Sequence, residues 1–213
     1  MDFLPKEIES YVAKNTEKEP KVLNELNHET WEKVLIPRML SGHIQGRVLS
    51  MLSHMINPKN ILEIGTYTGY SAICLAEGLQ KGGKIHTIDI NEELELMVNS
   101  YIEKSKLKDT IINHIGNAID IIPDLPETFD LVFIDADKTN YINYYDLVFD
   151  KVKTGGYIIA DNVLWSGKVI EPKESLDQDT LSLIAYSKKV NDDNRVQNVL
   201  FPVRDGLMIV RKK

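Results

Sequence analysis

The sequence predicts an α/β fold organised on a mostly parallel sheet. Three observations carry this reading: short apolar runs of strand length, helix-like segments alternating with them, and a hydrophobic spacing that changes after residue 58. Residues 3–14 and 22–35 read as two polar-rich helices, and Pro37 then interrupts because it supplies no backbone donor. Ile44, Val48, Leu49, Leu52, Met55 and Ile56 recur at helical spacing, so an amphipathic helix is expected to end before Pro58. Five apolar runs come next: NILEI (60–64), KIHTID (84–89), TIINHI (110–115), FDLVFID (129–135) and GYIIAD (156–161). Helix-like segments at 70–80, 91–105 and 139–152 lie between them, the pattern of βαβ units with right-handed crossovers. Residues 174–191 read as a further helix. RVQNVLFPV and GLMIVRK close the chain as two β-like runs, with Asp205-Gly206 between them as a turn, which makes the last strand antiparallel.

Length and composition narrow the class. The 213 residues fit one domain with a full core, and 43% hydrophobic against 27% charged residues is ordinary for a globular chain. No run approaches the roughly 20 apolar residues of a membrane span, and MDFLPKEIESYV lacks the basic start and apolar stretch of a signal peptide. A single cysteine excludes an internal disulfide and a thiolate metal cluster. The expectation is a cytoplasmic domain without a membrane partner. The 25 basic against 32 acidic residues, a formal charge of −7, argue mildly against gripping a phosphate backbone.

In a parallel sheet, ligands collect at the carboxyl ends of the strands, so the residues just past each strand matter most. The first strand runs into ILEIGTYTGYSAICLAEGL (61–79), where Gly65 and Gly69 bracket a tight turn into a helix. The spacing is G-x-x-x-G. It is neither the G-x-G-x-x-G of a dinucleotide site nor a P-loop, which disfavours nicotinamide and nucleoside triphosphates. Asp89, ending the second strand, suits a ribose diol, although aspartate also caps helices. Together the two features suggest an adenosine ligand without phosphates, against the plain reading of an ordinary strand-to-helix turn. Asp135 ends the fourth strand, and Asp161 with Asn162 ends the fifth. Two carboxylates and a carboxamide are hard oxygen donors that suit Mg²⁺, Ca²⁺ or Mn²⁺, yet each residue alone is also a common cap or turn former.

Taken in order, EIGTYTGYS, FDLVFIDADKTNY, GGYIIADNVLWSGKV and PVRDGL resemble the cation-dependent class I S-adenosylmethionine O-methyltransferases, the family of catechol, caffeoyl-CoA and related bacterial enzymes. The resemblance runs from about residue 37 to the C-terminus. It implies a Rossmann-like class I methyltransferase fold: a mostly parallel seven-stranded sheet, helices on both faces, and an antiparallel strand near the C-terminus. It also implies one domain over 1–213, with 1–36 a helical addition, 37–213 the core, and 166–181 an insertion covering the substrate. By the same resemblance Glu63, Gly65, Thr66 and Ser71 line the methionine end of S-adenosylmethionine, Asp89 takes the ribose, and Ala118 lies near the adenine. Ser41 reaches the cofactor from the N-terminal side, Asp135 borders it, and Asp137 contacts its amino group. Asp135, Asp161 and Asn162 are the implied metal ligands, and Lys138 is the implied general base.

The implied reaction is methylation of a vicinal dihydroxy aromatic. Trp165, Ser166 and His43 are the candidate substrate contacts. Ser166 departs from the plant caffeoyl-CoA pattern, which has asparagine there, and this weakens caffeoyl-CoA as the acceptor. A hydroxyuridine methyltransferase acting on tRNA is the alternative within methyl transfer, and a non-catalytic cofactor-binding module is the alternative from another class. The N-terminal helices are expected to contribute to a homodimer. Other residues read as structural: Cys74 as a packing thiol, His86 and His114 as strand residues, and Tyr141, Tyr144 and Tyr145 as packing for the helix after strand four.

Overall fold

Among the described residues, 5–213, the computed structural model contains eight α-helices and seven strands. By contacts the chain divides into two compact units, one of Lys6–Ala118 and one built on Ile119–Lys213.

In the first unit, α1 (Lys6–Lys14) buries none of its residues, and the start of the helix predicted over 3–14 lies outside the described residues. After Pro20, α2 (Lys21–Lys33) buries Leu23, Leu26 and Thr30, one face at i, i+3 and i+7. The helix α3 (Gly42–Ile56) stops where Asn57 turns left-handed (φ 50°), just ahead of Pro58. Strands β1 (Asn60–Ile64), β2 (Lys84–Asp89) and β3 (Ile111–Ile115) are parallel in the order β3-β2-β1, with Glu63 opposite Thr87. The connections carry α4 (Tyr70–Ala76), buried at every residue, and α5 (Glu95–Lys104). The sequence predicts a longer α4, over 70–80. Its end is set by Gly78, which lies so close to the main chain of Ser53 and His54 that a Cβ would overlap both.

The second unit comes after the start of α6 (Ala118–Asp124), a helix the sequence does not predict because Pro123 stands in its last turn and reads as a breaker. Its strands β4 (Phe129–Ile134), β5 (Val152–Ala160), β6 (Val196–Phe201) and β7 (Leu207–Lys212) lie in the order β4-β5-β7-β6. Strands β4 and β5 are parallel, and β7 is antiparallel to both its neighbours, as the Asp205-Gly206 turn predicts. Strand β5 begins at Val152 rather than 156. The glycines that disguise its first half sit in an irregularity: the register slips between Phe129↔Val152 and Leu131↔Tyr157, and Gly155 takes φ 82°. After β4 come a 3₁₀ turn (Lys138–Asn140) and α7 (Tyr141–Phe149). The segment 166–181 consists of 3₁₀ turns at Trp165–Ile170 and Lys173–Ser175 and the first turn of α8 (Gln178–Asp192). That helix starts later than residue 174 because Asp177 caps it, accepting the Thr180 N–H at 2.9 Å. Burial is nearly continuous along β1 and β4, as strands covered on both faces require. No helix among the described residues is long and apolar enough to cross a membrane.

Candidate active site

In the first unit, the turn from β1 to α4 is left-handed three times in five residues: Gly65 (φ 102°), Tyr67 (φ 50°) and Gly69 (φ 88°). Glycine adopts this conformation at little cost, whereas Tyr67 needs holding. Its N–H donates to Asp89 Oδ2 at 2.7 Å and its hydroxyl to the Ile36 carbonyl at 3.0 Å. Asp89 Oδ1 accepts the Asn91 N–H at 2.9 Å. A carboxylate offers about four acceptor positions, so these two bonds leave room for a diol.

Beside the loop, Glu63 is fully buried and accepts a hydrogen bond from Thr87 on the paired strand. The Thr87 hydroxyl also lies 2.6 Å from that of Thr66. Thr87 therefore joins two residues expected at the cofactor, and sequence reasoning missed it. Its signal is strand register, which no local motif displays. Ser71 is buried in the first turn of α4, Ser41 at the start of α3, and Ala118 at the start of α6. His43 is placed differently: its Nε2 is 2.6 Å from the Glu17 carbonyl, which commits that nitrogen to the main chain. Cys74 is a buried thiol, pushed up to about 12 by burial, and so no nucleophile at neutral pH. His86 and His114 stack on each other, with Nδ1 and Nε2 3.0 Å apart.

In the second unit, Lys138 opens the turn after β4 and is buried, 7% exposed. Its Nζ donates to Asp135 Oδ1 at 3.0 Å and to the Tyr141 hydroxyl oxygen at 2.7 Å. Tyr141 in turn donates to the main-chain carbonyl of Asp161 at 3.0 Å. Asp161 directly follows β5, is 2% exposed, and donates its own N–H to the Ile134 carbonyl at the end of β4. One network thus gathers Asp135, Lys138 and Asp161, with Tyr141 as the joint. Tyr141 does pack as expected, fully buried and edge-on to Tyr186, but its hydroxyl has this second use. Burial first, and then the nearby Asp135 and Asp161, push Tyr141 well above the usual phenol range, so it keeps its proton. Asp137 accepts from Asn140 Nδ2 and from the Tyr144 hydroxyl, each at 2.5 Å.

The segment after Asp161 is conformationally unusual. Asn162 (φ 59°), Trp165 (φ 46°), Ser166 (φ 54°) and Gly167 (φ 83°) are all left-handed, at a cost of order 1–3 kcal/mol for each non-glycine residue. The turn between β6 and β7 holds this shape. Val163 N–H donates to the Gly206 carbonyl at 3.2 Å, Leu164 N–H to the Asp205 carbonyl at 2.9 Å, and Ser166 N–H to Asp205 Oδ1 at 2.5 Å. Gly206 lies so close to Leu164 that a Cβ would collide with it. The Trp165 ring centre is 5.6 Å from Lys138 Nζ, within cation–π range, whereas Ser166 is exposed.

Asp135, Asp161 and Asn162 supply three hard oxygen donors at neighbouring strand ends. Two carboxylates and one carboxamide carry a negative balance that a divalent cation offsets, so the donor set fits such an ion. Among the described residues no three His, Cys, Asp or Glu side chains group to hold a metal ion.

The sequence profile of the O-methyltransferase family matches residues 13–213. A caffeoyl-CoA O-methyltransferase of Petroselinum crispum is 36% identical over 206 residues, covering 92% of this chain and 85% of the relative. Among solved structures, the O-methyltransferase from Bacillus cereus in complex with SAH superimposes with a TM-score of 0.90 at 29% identity, over 97% of both chains. The SAH-bound methyltransferase of Podospora anserina gives 0.91 at 27% identity, over 100% of this chain and 99% of that one.

Proposed function

The chain belongs to the O-methyltransferase family, and from that premise we propose that it methylates one hydroxyl of a vicinal dihydroxy aromatic, using S-adenosylmethionine with the help of Mg²⁺ or a similar divalent cation. The observation that carries this reading is the Asp135–Lys138–Tyr141–Asp161 network at the ends of β4 and β5, in which all but the half-buried Asp135 are buried. The SAH bound by the Bacillus and Podospora relatives supports the cofactor. In this reading 1–213 is one catalytic domain, supported by a family profile that matches residues 13–213.

Bound S-adenosylmethionine supplies an electrophilic methyl group on a sulfonium. Gly65 and Gly69 keep side chains out of the loop that takes it, Glu63, Thr66 and Ser71 serve its methionine end, and Ser41 reaches it from α3. Asp89 accepts from the ribose hydroxyls, Ala118 leaves a flat apolar wall for the adenine, and Asp137 takes the amino group. A bound cation supplies Lewis acidity, which matters because a phenol of pKa about 10 is mostly protonated at neutral pH. Asp135, Asp161 and Asn162 would hold it. Lys138, as the neutral amine, accepts the acceptor's hydroxyl proton at Nζ, and Asp135 Oδ1 beside it stabilises the resulting ammonium. Trp165 and Ser166 border the acceptor ring, and His43 serves as wall, with one ring nitrogen already bonded to Glu17. A small acceptor agrees with the −7 charge and with the caffeoyl-CoA activity of the plant relatives. Exposed Tyr11 on α1 and Trp31 on α2 support a homodimer through the N-terminal helices.

The test is turnover of 3,4-dihydroxybenzoate with labelled S-adenosylmethionine, with Mg²⁺ and with a chelator. Chelation should remove methyl transfer and added Mg²⁺ restore it; full rate under chelation would refute the cation's part. Total tRNA belongs in the same assay, because salt-sensitive binding with a methylated nucleoside would move the acceptor class to RNA.

A further inference from the structure

We propose that Tyr141 is a positioning residue for the methyl transfer: its hydroxyl sets the direction in which Lys138 Nζ faces the acceptor. This rests on the function proposed above and adds to it a residue that does not touch substrate.

The stereochemistry of the amine is the starting point. Nζ has four tetrahedral directions. Cε takes one, Asp135 Oδ1 at 3.0 Å a second and the Tyr141 oxygen at 2.7 Å a third, leaving one free for an acceptor hydroxyl. A lysine side chain carries about 2 kcal/mol of rotamer entropy, so one bond to Asp135 would still let the head group swing. The second bond stops that motion.

Tyr141 can do this because it is itself immobile and polarised one way. It is fully buried, with its ring 5.5 Å edge-on from Tyr186. Its single proton goes to the Asp161 carbonyl at 3.0 Å, so a lone pair is what it turns toward Lys138. That carbonyl belongs to the residue whose N–H is bonded to Ile134, which ends β4. Lys138 is therefore referenced to two strand ends and not only to the turn that carries it.

Packing alone does not account for the hydroxyl, since phenylalanine would fill the same space. The neighbouring Tyr186 supplies the matched control: it is equally buried, and its hydroxyl has no hydrogen-bond partner among the described residues. Removing that hydroxyl takes away a buried polar group and no contact to Lys138.

The experiment compares wild type, Tyr141→Phe and Tyr186→Phe by residue-resolved amine acetylation read by mass spectrometry. Lys212, whose Nζ donates to the Phe149 and Val152 carbonyls, is the internal standard. In Tyr141→Phe, Lys138 should label about tenfold faster, the equivalent of one lost hydrogen bond, with Lys212 unchanged. Tyr186→Phe should alter neither lysine. With Mg²⁺ and 3,4-dihydroxybenzoate, Tyr141→Phe should lower kcat by roughly 10–100-fold, while acceptor KM and S-adenosylhomocysteine affinity stay within about twofold. A loosened fold would move all three. Unchanged Lys138 labelling, or Lys138 and Lys212 accelerating together, overturns the proposal whether or not this acceptor is turned over. So does an undiminished kcat in Tyr141→Phe when Lys138→Ala abolishes turnover. If Lys138→Ala itself turns over at the wild-type rate, the failure lies with the proposed function, and the labelling ratio still decides the role of Tyr141.

Discussion

The two units furnish their candidate residues with different materials. In the first, the β1–α4 turn is chiefly main-chain architecture: left-handed residues at Gly65, Tyr67 and Gly69, tied through Tyr67 N–H to Asp89 and flanked by a hydroxyl pair, Thr66 and Thr87. In the second, the strand ends carry charge: Asp135, Lys138 and Asp161 around a buried phenol. A loop of this kind recognises shape and hydrogen-bonding groups and has little to move a proton with. A largely buried set of carboxylates and an amine can steer charge during a reaction, and is correspondingly sensitive to losing one member. Binding and chemistry should therefore separate under mutation.

The largest separation is expected from Asp161→Ala. Turnover should fall by at least about a thousandfold, in line with the several kcal/mol a metal supplies to transition-state charge, while S-adenosylhomocysteine binding by calorimetry stays within about threefold. A comparable fall in both would erase the contrast. Asp89→Ala tests the other side with a smaller effect. It removes the anchor of Tyr67 and a proposed ribose contact, so KM for S-adenosylmethionine should rise about 10–100-fold, as for hydrogen bonds to a charged group, with kcat at saturation nearly kept. A collapse of kcat at saturating cofactor would show that the loop shapes the chemistry as well.

The smallest effect is one of pH. Burial raises the Cys74 thiol from 9.0 to about 12, so the folded chain holds that proton more tightly than the unfolded chain does. Its contribution to stability is complete below pH 9 and is lost as pH climbs toward 12, because the unfolded state binds fewer protons there. Between pH 9 and 10 the loss should be about 1 kcal/mol. Chemical denaturation at the two pH values should show this slope in wild type and a flatter one in Cys74→Ala. The buried phenols, Tyr141 among them, add to the loss as pH approaches 10, so wild type and Cys74→Ala are compared at the same two pH values. An unchanged slope in Cys74→Ala would place the alkaline sensitivity elsewhere.

Strands that stand as uninterrupted apolar runs between turn formers were legible residue for residue, β1 and β2 above all. The misreadings share a cause: a residue with a strong local meaning whose tertiary setting overrides it. The strand run read from Gly156 leaves out Val152–Gly155, which form an irregular first stretch of β5, and α6, with Pro123 in its last turn, is not read as a helix. The candidate site divides the same way. Asp89, Asp135 and Asp161 were legible because a polar residue at the end of an apolar strand stands out in one dimension, whereas Lys138 is singled out only by the family resemblance. Thr87, Tyr141 and Asp205 were not. Thr87 depends on the register of β1 against β2, Tyr141 on a hydroxyl direction inside a packed cluster, and Asp205 on a turn far along the chain.

That distance has a consequence for the newborn chain. Asp205 lies 39 residues beyond Ser166, and its carboxylate and carbonyl shape the segment that carries Asn162 and Trp165. A ribosome adding about 5–20 residues per second makes that loop wait several seconds for its clamp. Until the hairpin of β6 and β7 emerges, the left-handed residues between Asn162 and Gly167 have only their local hydrogen bonds to hold them.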